Sequence, residues 1–240
     1  MIRGIYNSSS SMQYLQEKMD IVANNLANVN TAGFKRSGVL FNQHMVAEQA
    51  KQRNQNKDPL PEGNIISYIE NTQGAVKETG NPLDLSLTGK GFFSIQTPEG
   101  KAWTRDGSFT LDSMGYITTM NGDYLMGDYG PIQVNGEKFS ISDNGDVMVD
   151  NNVVNKIKIE NFDLNDVVQI GDNLLKSKDD NLQLVKSDAL VKQGYLEISN
   201  VSIVKEMVEM IALHRQFQAN EKAIKTNDEA LNKAVNNIAR

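Results

Sequence analysis

The stretch IYNSSSSMQYLQEKMDIVANNLANV, residues 5–29, decides the fold. Ile5, Met12, Met19 and Leu26 fall seven apart, and Ser8, Leu15, Val22 and Val29 form a second row three residues on. Two such rows make a heptad seam over four repeats, with one polar position. The spacing predicts a helix over residues 3–30, closed by Gly33 as a left-handed residue just past its end. A narrow apolar stripe on a lone helix stays wet, so this element demands a partner.

The far end of the chain repeats the demand. Ile203, Met210, Phe217, Ile224, Leu231 and Ile238 are again seven apart, with no Gly or Pro between them. Val204, Met207 and Ile211 widen the stripe at its start, while His214, Asn220, Glu221 and Asp228 make its middle polar. A helix over 199–240 is predicted, capped by Ser199 or Asn200. The two helices either shelter each other as an antiparallel pair or become ordered only when copies assemble. A head-to-tail contact that does not close on itself builds a filament.

Between the helices the period changes. Leu83-Asp84-Leu85-Ser86-Leu87 alternates strictly, and Thr97-Pro98-Glu99-Gly100, Asn121-Gly122, Asn135-Gly136 and Asn144-Gly145 punctuate the following stretch. The three Asn-Gly pairs are type I′ hairpin signals. Short strands at this spacing predict an all-β body, barrel- or sandwich-like. Further strands are expected around Leu182–Val185 and Leu190–Val191, and residues 51–64 read as a linker or mobile loop. The expected fold is therefore α+β. Its parts are an N-terminal axial helix (1–36), a connecting segment (37–80), a central β-rich domain (81–198) and a C-terminal axial helix (199–240). The terminal helices are expected to form a coiled-coil-like core on assembly.

Composition narrows the chemistry. The 240 residues carry 24 Lys+Arg against 30 Asp+Glu, a net charge of −6, which argues against a nucleic-acid partner. There are no cysteines and only two histidines, so disulfides, thiolate metal sites and histidine-based triads lack material. No apolar run suits a cleavable signal or a membrane span. Gly89-Lys90-Gly91 lacks the third glycine and the following helix of a phosphate loop and reads as a turn. Asp143-Asn144-Gly145-Asp146 lacks the closing Glu of a calcium loop and reads as a hairpin turn. The Asp163/Asp166 and Asp179-Asp180 pairs read as solvated surface, and His214 as a surface or interface residue. Neither a catalytic, a cofactor nor a metal site is expected.

The residues also carry a resemblance. Met19-Asp20-Ile21-Val22-Ala23-Asn24-Asn25-Leu26-Ala27-Asn28-Val29-Asn30-Thr31-Ala32-Gly33-Phe34-Lys35-Arg36 closely resembles the N-terminal signature of bacterial flagellar axial proteins, the rod and hook proteins. Pro82 to Leu85, Gly89 to Phe93 and Thr104-Arg105-Asp106-Gly107-Ser108-Phe109 are similar to the centre of the basal-body rod subfamily. Gly194 to Val201, Glu206-Met207-Val208 and Arg215-Gln216-Phe217 are similar to its C-terminal signature. Within that subfamily the short segments flanking the β body favour the proximal over the distal member.

The resemblance implies a structural subunit, exported through the flagellar type III apparatus without a cleaved signal. It implies polymerisation with itself and other rod proteins, within the hook–basal body complex, into a hollow periplasmic drive shaft that carries torque from motor to hook. Assembly-interface residues are then Ile5, Met12, Leu15, Met19, Val22 and Leu26 in the first helix, and Ile203, Met210, Phe217, Ile224 and Leu231 in the last. Asn24, Asn25 and Asn28 are candidates to fix register as buried amides. The competing readings are a helical-stalked binding module or export chaperone, and an enzyme using carboxylates of the β body.

Overall fold

A computed structural model describes residues 2–42, 64–136, 138–150, 152–178 and 182–238. The segment expected to be a linker, 51–64, lies outside the described residues except for Asn64. The contacts divide the chain into two units, neither continuous in sequence. One comprises residues 1–27, 37–70 and 202–240, the other 28–36 and 71–201. The chain is mostly β, with one N-terminal and one C-terminal helix among the described residues, an α+β fold. No described helix is long and apolar enough to cross a membrane.

The first unit holds both helices and one hairpin. Helix α1 (Ile2–Ala27) and helix α2 (Ile203–Ile238) run antiparallel. Asn220 Nδ2 donates to Ser11 Oγ at 3.2 Å, Lys18 meets Glu209 at 2.7 Å, and Asn25 Nδ2 donates to Glu206 Oε2 at 3.2 Å. Leu15, Val22 and Leu213 are buried between them, with Met19, Met210 and Phe217 packed alongside. The heptad rows thus meet each other within one chain, the antiparallel alternative of the sequence reading. Strands Ser37–Asn42 and Asn64–Ile69 pair antiparallel, Ser37 opposite Ile69.

Both helix ends differ from the expected ones. Helix α1 stops at Ala27, six residues before Gly33. Gly33 does have φ +67°, but for another reason. A Cβ there would lie 2.2 Å from the Asp106 backbone nitrogen, so the position serves a close backbone approach inside the second unit. At the start of α2, the Glu206 N–H reaches the Ser202 carbonyl at 3.0 Å. Asn200 instead accepts from the Arg36 N–H at 2.7 Å and donates to Thr72 Oγ1 at 2.8 Å, while Ser199 Oγ accepts from Val201 N–H. Neither caps the helix.

The second unit is β-rich. Its longest run of strands is antiparallel throughout, in the order Val167–Gly171, Leu174–Ser177, Gly100–Thr104, Phe92–Thr97, Tyr124–Gly127, Ile117–Thr118, Thr110–Leu111. Gly130–Pro131 pairs beside Tyr124–Gly127, and Ile159–Asn161 joins Phe92–Thr97 to Val185–Lys186. A three-stranded meander (Phe139–Ile141, Asp146–Val149, Asn152–Lys156) and two two-stranded ladders accompany them, Leu190–Gln193 on Leu85–Thr88 and Tyr195–Glu197 on Val76–Glu78. One apolar core runs through them, with Phe93, Ile95, Leu125, Ile132, Val147 and Val191 wholly enclosed.

Two of the three Asn-Gly pairs, Asn121-Gly122 and Asn144-Gly145, sit in hairpin turns, though not of type I′, whereas the strands flanking Asn135-Gly136 do not pair with each other. At Ser142–Gly145 the Gly145 N–H donates to Ser142 O at 2.8 Å, and Ser142 N–H to Asp146 O at 2.9 Å. Only the glycine has positive φ, +80°. That is a type I turn closed by a left-handed residue and bulge. Thr119–Gly122 and Asp112–Gly115 repeat the pattern. In each, the first side chain (Ser142, Thr119, Asp112) accepts the N–H four residues on. Asn135-Gly136 has no positive φ; the pair with both φ positive is Asp172-Asn173, at +47° and +56°. The strand expected around Leu182–Val185 forms only as the two-residue Val185–Lys186, and the one expected around Leu190–Val191 forms as Leu190–Gln193.

Candidate functional site

Each unit carries one arrangement that goes beyond ordinary packing. In the helical unit, α2 shows two faces. The face holding Glu206, Met210, Leu213 and Phe217 turns to α1. The opposite stripe is bare: Val204 is 72% exposed, Val208 62%, Ile211 55% and Met207 50%. Four large apolar side chains at i, i+3, i+4 and i+7 spacing form one contiguous ridge.

The expected interface residues divide accordingly. Leu15 and Val22 are buried against α2, and Met12, Met19, Leu26, Met210, Phe217 and Ile224 are half-buried. Ile203 is exposed. The side chains of Ile5 and Leu231 lie outside the described residues. Among the three amides, Asn24 is exposed and Asn28 lies beyond the end of α1, in a turn where its Oδ1 accepts from Thr31 Oγ1 at 3.2 Å. Asn25 is wholly buried. Its Nδ2 donates to Ser37 O at 2.8 Å, its Oδ1 accepts from Ser37 N–H at 2.9 Å, and Glu206 takes the second amide hydrogen. The amide thus fixes the strand after α1 and the first turn of α2 at once.

The second arrangement is a buried charge cluster in the β unit. Glu197 ends the strand Tyr195–Glu197 with its side chain 1% exposed. Lys35 Nζ donates to its Oε1 at 2.6 Å, and Arg105 Nε to its Oε2 at 2.7 Å. The Gly74 N–H adds a third donor to Oε1 at 2.9 Å. The other hydrogen bonds of Lys35 and Arg105 go to carbonyls. Lys35 reaches Thr72 O at 2.8 Å, and Arg105 reaches Leu87 O at 3.0 Å, Gly89 O at 2.7 Å and Gly91 O. Gly89-Lys90-Gly91 is therefore a turn that aims carbonyl oxygens at a guanidinium, the reverse of a phosphate cradle, whose N–H groups face an anion.

The electrostatics follow from burial and pairing. Burial pushes the Glu197 carboxyl up, but the charge of Arg105 and the bond and charge of Lys35 outweigh it and hold it below the usual carboxylate range. Burial draws the Lys35 ammonium down, Glu197 only partly restoring it and Arg105 adding to the fall. Nearby, burial raises Asp106 against its bonds from Ser108, with the Asp84 charge adding to the rise. Sequence reasoning missed this cluster. Its three side chains lie inside three quoted signature blocks, but a charged residue in a motif reads as surface unless its partner is known. Among the described residues, no group of three or more His, Asp or Glu could hold a metal.

Residues 5–35 match the family described as flagella basal body rod protein, residues 86–149 the flagellar hook protein FlgE/F/G D1 domain, and residues 192–238 the flagellar basal body rod FlgEFG protein C-terminal family. The chain is 33% identical to the flagellar basal-body rod protein FlgG of Bacillus subtilis, covering 98% of this chain and 99% of that one. It is 32% identical to FlgG of Borreliella burgdorferi over 100% of both chains. It is 31% identical to FlgF of Rhizobium meliloti over 99% of this chain and 98% of that one.

Proposed function

Because the chain belongs to the flagellar basal-body rod protein family, we propose that it is a structural subunit of the rod that polymerises through its helical unit. The observation that carries the mechanism is the bare ridge Val204, Met207, Val208 and Ile211, on the face of α2 turned away from α1. The antiparallel pair provides a stiff two-helix element, and the ridge gives it apolar area for neighbouring copies to bury. Stacked in a coiled-coil-like array around an axis, such pairs would line a hollow shaft. The β unit is barrel- or sandwich-like. The role is mechanical, transmitting torque from motor to hook. Other rod proteins and the hook are the neighbours, the type III apparatus is the export route, and the periplasmic rod is the location. The short segments flanking the β body support the proximal position.

A variant with Val204, Val208 and Ile211 changed to Ser tests the reading. It is expected to keep the helical circular dichroism of the wild type. It is also expected to form no filaments in concentrated solution and to leave a strain lacking this protein non-motile. Filaments and motility at wild-type levels would overturn the reading.

A further inference from the structure

We propose that Glu197 is a folding checkpoint: the β unit stays open until the end of its chain delivers this one carboxylate between Lys35 and Arg105. The inference goes beyond the assembly reading and does not depend on it.

The argument starts from the order of the residues. Lys35 lies 162 positions before Glu197, and Arg105 lies 92 before it. Both cations enter the same enclosed place, with side chains 6% and 3% exposed, and each holds one oxygen of the same carboxylate. Every other partner of the two is neutral: the carbonyls of Thr72, Leu87, Gly89 and Gly91. Until Glu197 arrives, closing the unit means burying two like charges side by side. Low polarity magnifies that repulsion, and each ion also forfeits its hydration. The cheaper state keeps Lys35 in water and leaves residues 28–36 undocked.

The backbone around the carboxylate closes in the same event. The Gly33 N–H donates to Glu197 O at 2.8 Å, and the Ile198 N–H to Ala75 O at 2.8 Å. A Cβ on Gly74 would lie 1.9 Å from Ile198 O, so the two segments touch with no room to spare. The first, middle and last parts of the unit thus meet at one residue. A chain emerging N-terminus first keeps its β unit open until residue 197 is out.

The test is the folding and unfolding kinetics of the full chain, followed through Trp103, the single tryptophan, which is buried in the β unit. If the carboxylate is needed before closure, Glu197→Gln slows refolding by about tenfold or more and changes unfolding by less than about threefold. The reverse, unchanged refolding with fast unfolding, would overturn the checkpoint and leave a late clamp. The double variant Lys35→Met/Glu197→Gln separates charge from shape: it is expected to refold faster than Glu197→Gln alone. If Glu197→Gln does not fold, folding of the double variant supports the checkpoint. A double variant that is no faster, or that also fails to fold, overturns it.

Discussion

Asn25 on α1 and Glu206 on the first turn of α2 meet through a 3.2 Å hydrogen bond although 181 positions separate them, and both are buried. The same amide brackets the N–H and carbonyl of Ser37. Asn25→Ala strips Ser37 of both side-chain bonds inside an enclosed site. It is expected to cost about 1–3 kcal/mol in urea unfolding. Asn25→Asp sets a second carboxylate against Glu206 and removes the amide hydrogens that Glu206 and Ser37 O accept. Its deficit against wild type is expected to exceed that of Asn25→Ala, measured by urea midpoints at neutral pH.

Leu213 sits with Leu15 and Val22 in the helix interface, 4% exposed. Leu213→Ala is expected to cost about 2–5 kcal/mol, read from thermal loss of helical circular dichroism. Phe217 is only half-buried beside that cluster, so Phe217→Ala is expected to cost less than the ~3–5 kcal/mol of a fully enclosed ring. If Phe217 gains cover from neighbouring copies, the deficit grows on assembly, and dissociation of filaments on heating shows it.

Glu160 accepts from Trp103 Nε1 at 2.7 Å and lies 2.7 Å from Lys101. Burial raises its carboxyl, but the bonds from Lys101 and Trp103 and the charges of Lys101 and Lys158 hold it below the usual range. Its folded pKa lies below its unfolded one. Its contribution is therefore complete above the ordinary carboxylate value of about 4.3 and is lost as pH falls through the folded value. Glu197 follows the same sign, whereas Asp106, raised by burial, works against both over the acid range. Trp103 emission is expected to change with the protonation of Glu160, and Glu160→Gln to abolish that step.

Gly33 and Gly122 separate strain from space. Both have positive φ, +67° and +90°, but a Cβ at Gly122 meets nothing within 4 Å, while one at Gly33 strikes the Asp106 backbone. Gly122→Ala is expected to cost about 1–2 kcal/mol from backbone strain alone. Gly33→Ala adds a backbone collision, and its larger loss is expected to appear in the melting of the β unit.

What the sequence made legible is local. The period of seven at Ile5–Leu26 and Ile203–Ile238 gave both helices, because one side of a helix is written into nearest-neighbour spacing. Asn121-Gly122 and Asn144-Gly145 located hairpin turns for the same reason, and Asn135-Gly136 did not. Turn type was not legible, because it is set by how the flanking strands register. Thus Asn144-Gly145 closes a bulged type I turn, while Asp172-Asn173, without a glycine, has both residues left-handed. The helix caps were misplaced because Asn200 and Gly33 answer to Arg36, Thr72 and Asp106, which are remote in sequence. Lys35, Arg105 and Glu197 are the extreme case. Nothing near any of them in the chain announces that all three are dry.

The discontinuity of the two units has a practical corollary for anyone wishing to excise a piece. A cassette cut at 71–201 looks like a whole domain, yet it leaves behind the short loop at 28–36 that belongs with it. Such a fragment inherits Arg105 and Glu197 as a matched couple but forfeits Lys35, and with it the Thr72 tether. Grafting the loop back by circular permutation, Val201 joined to Asn28, would restore the full complement in a single polypeptide.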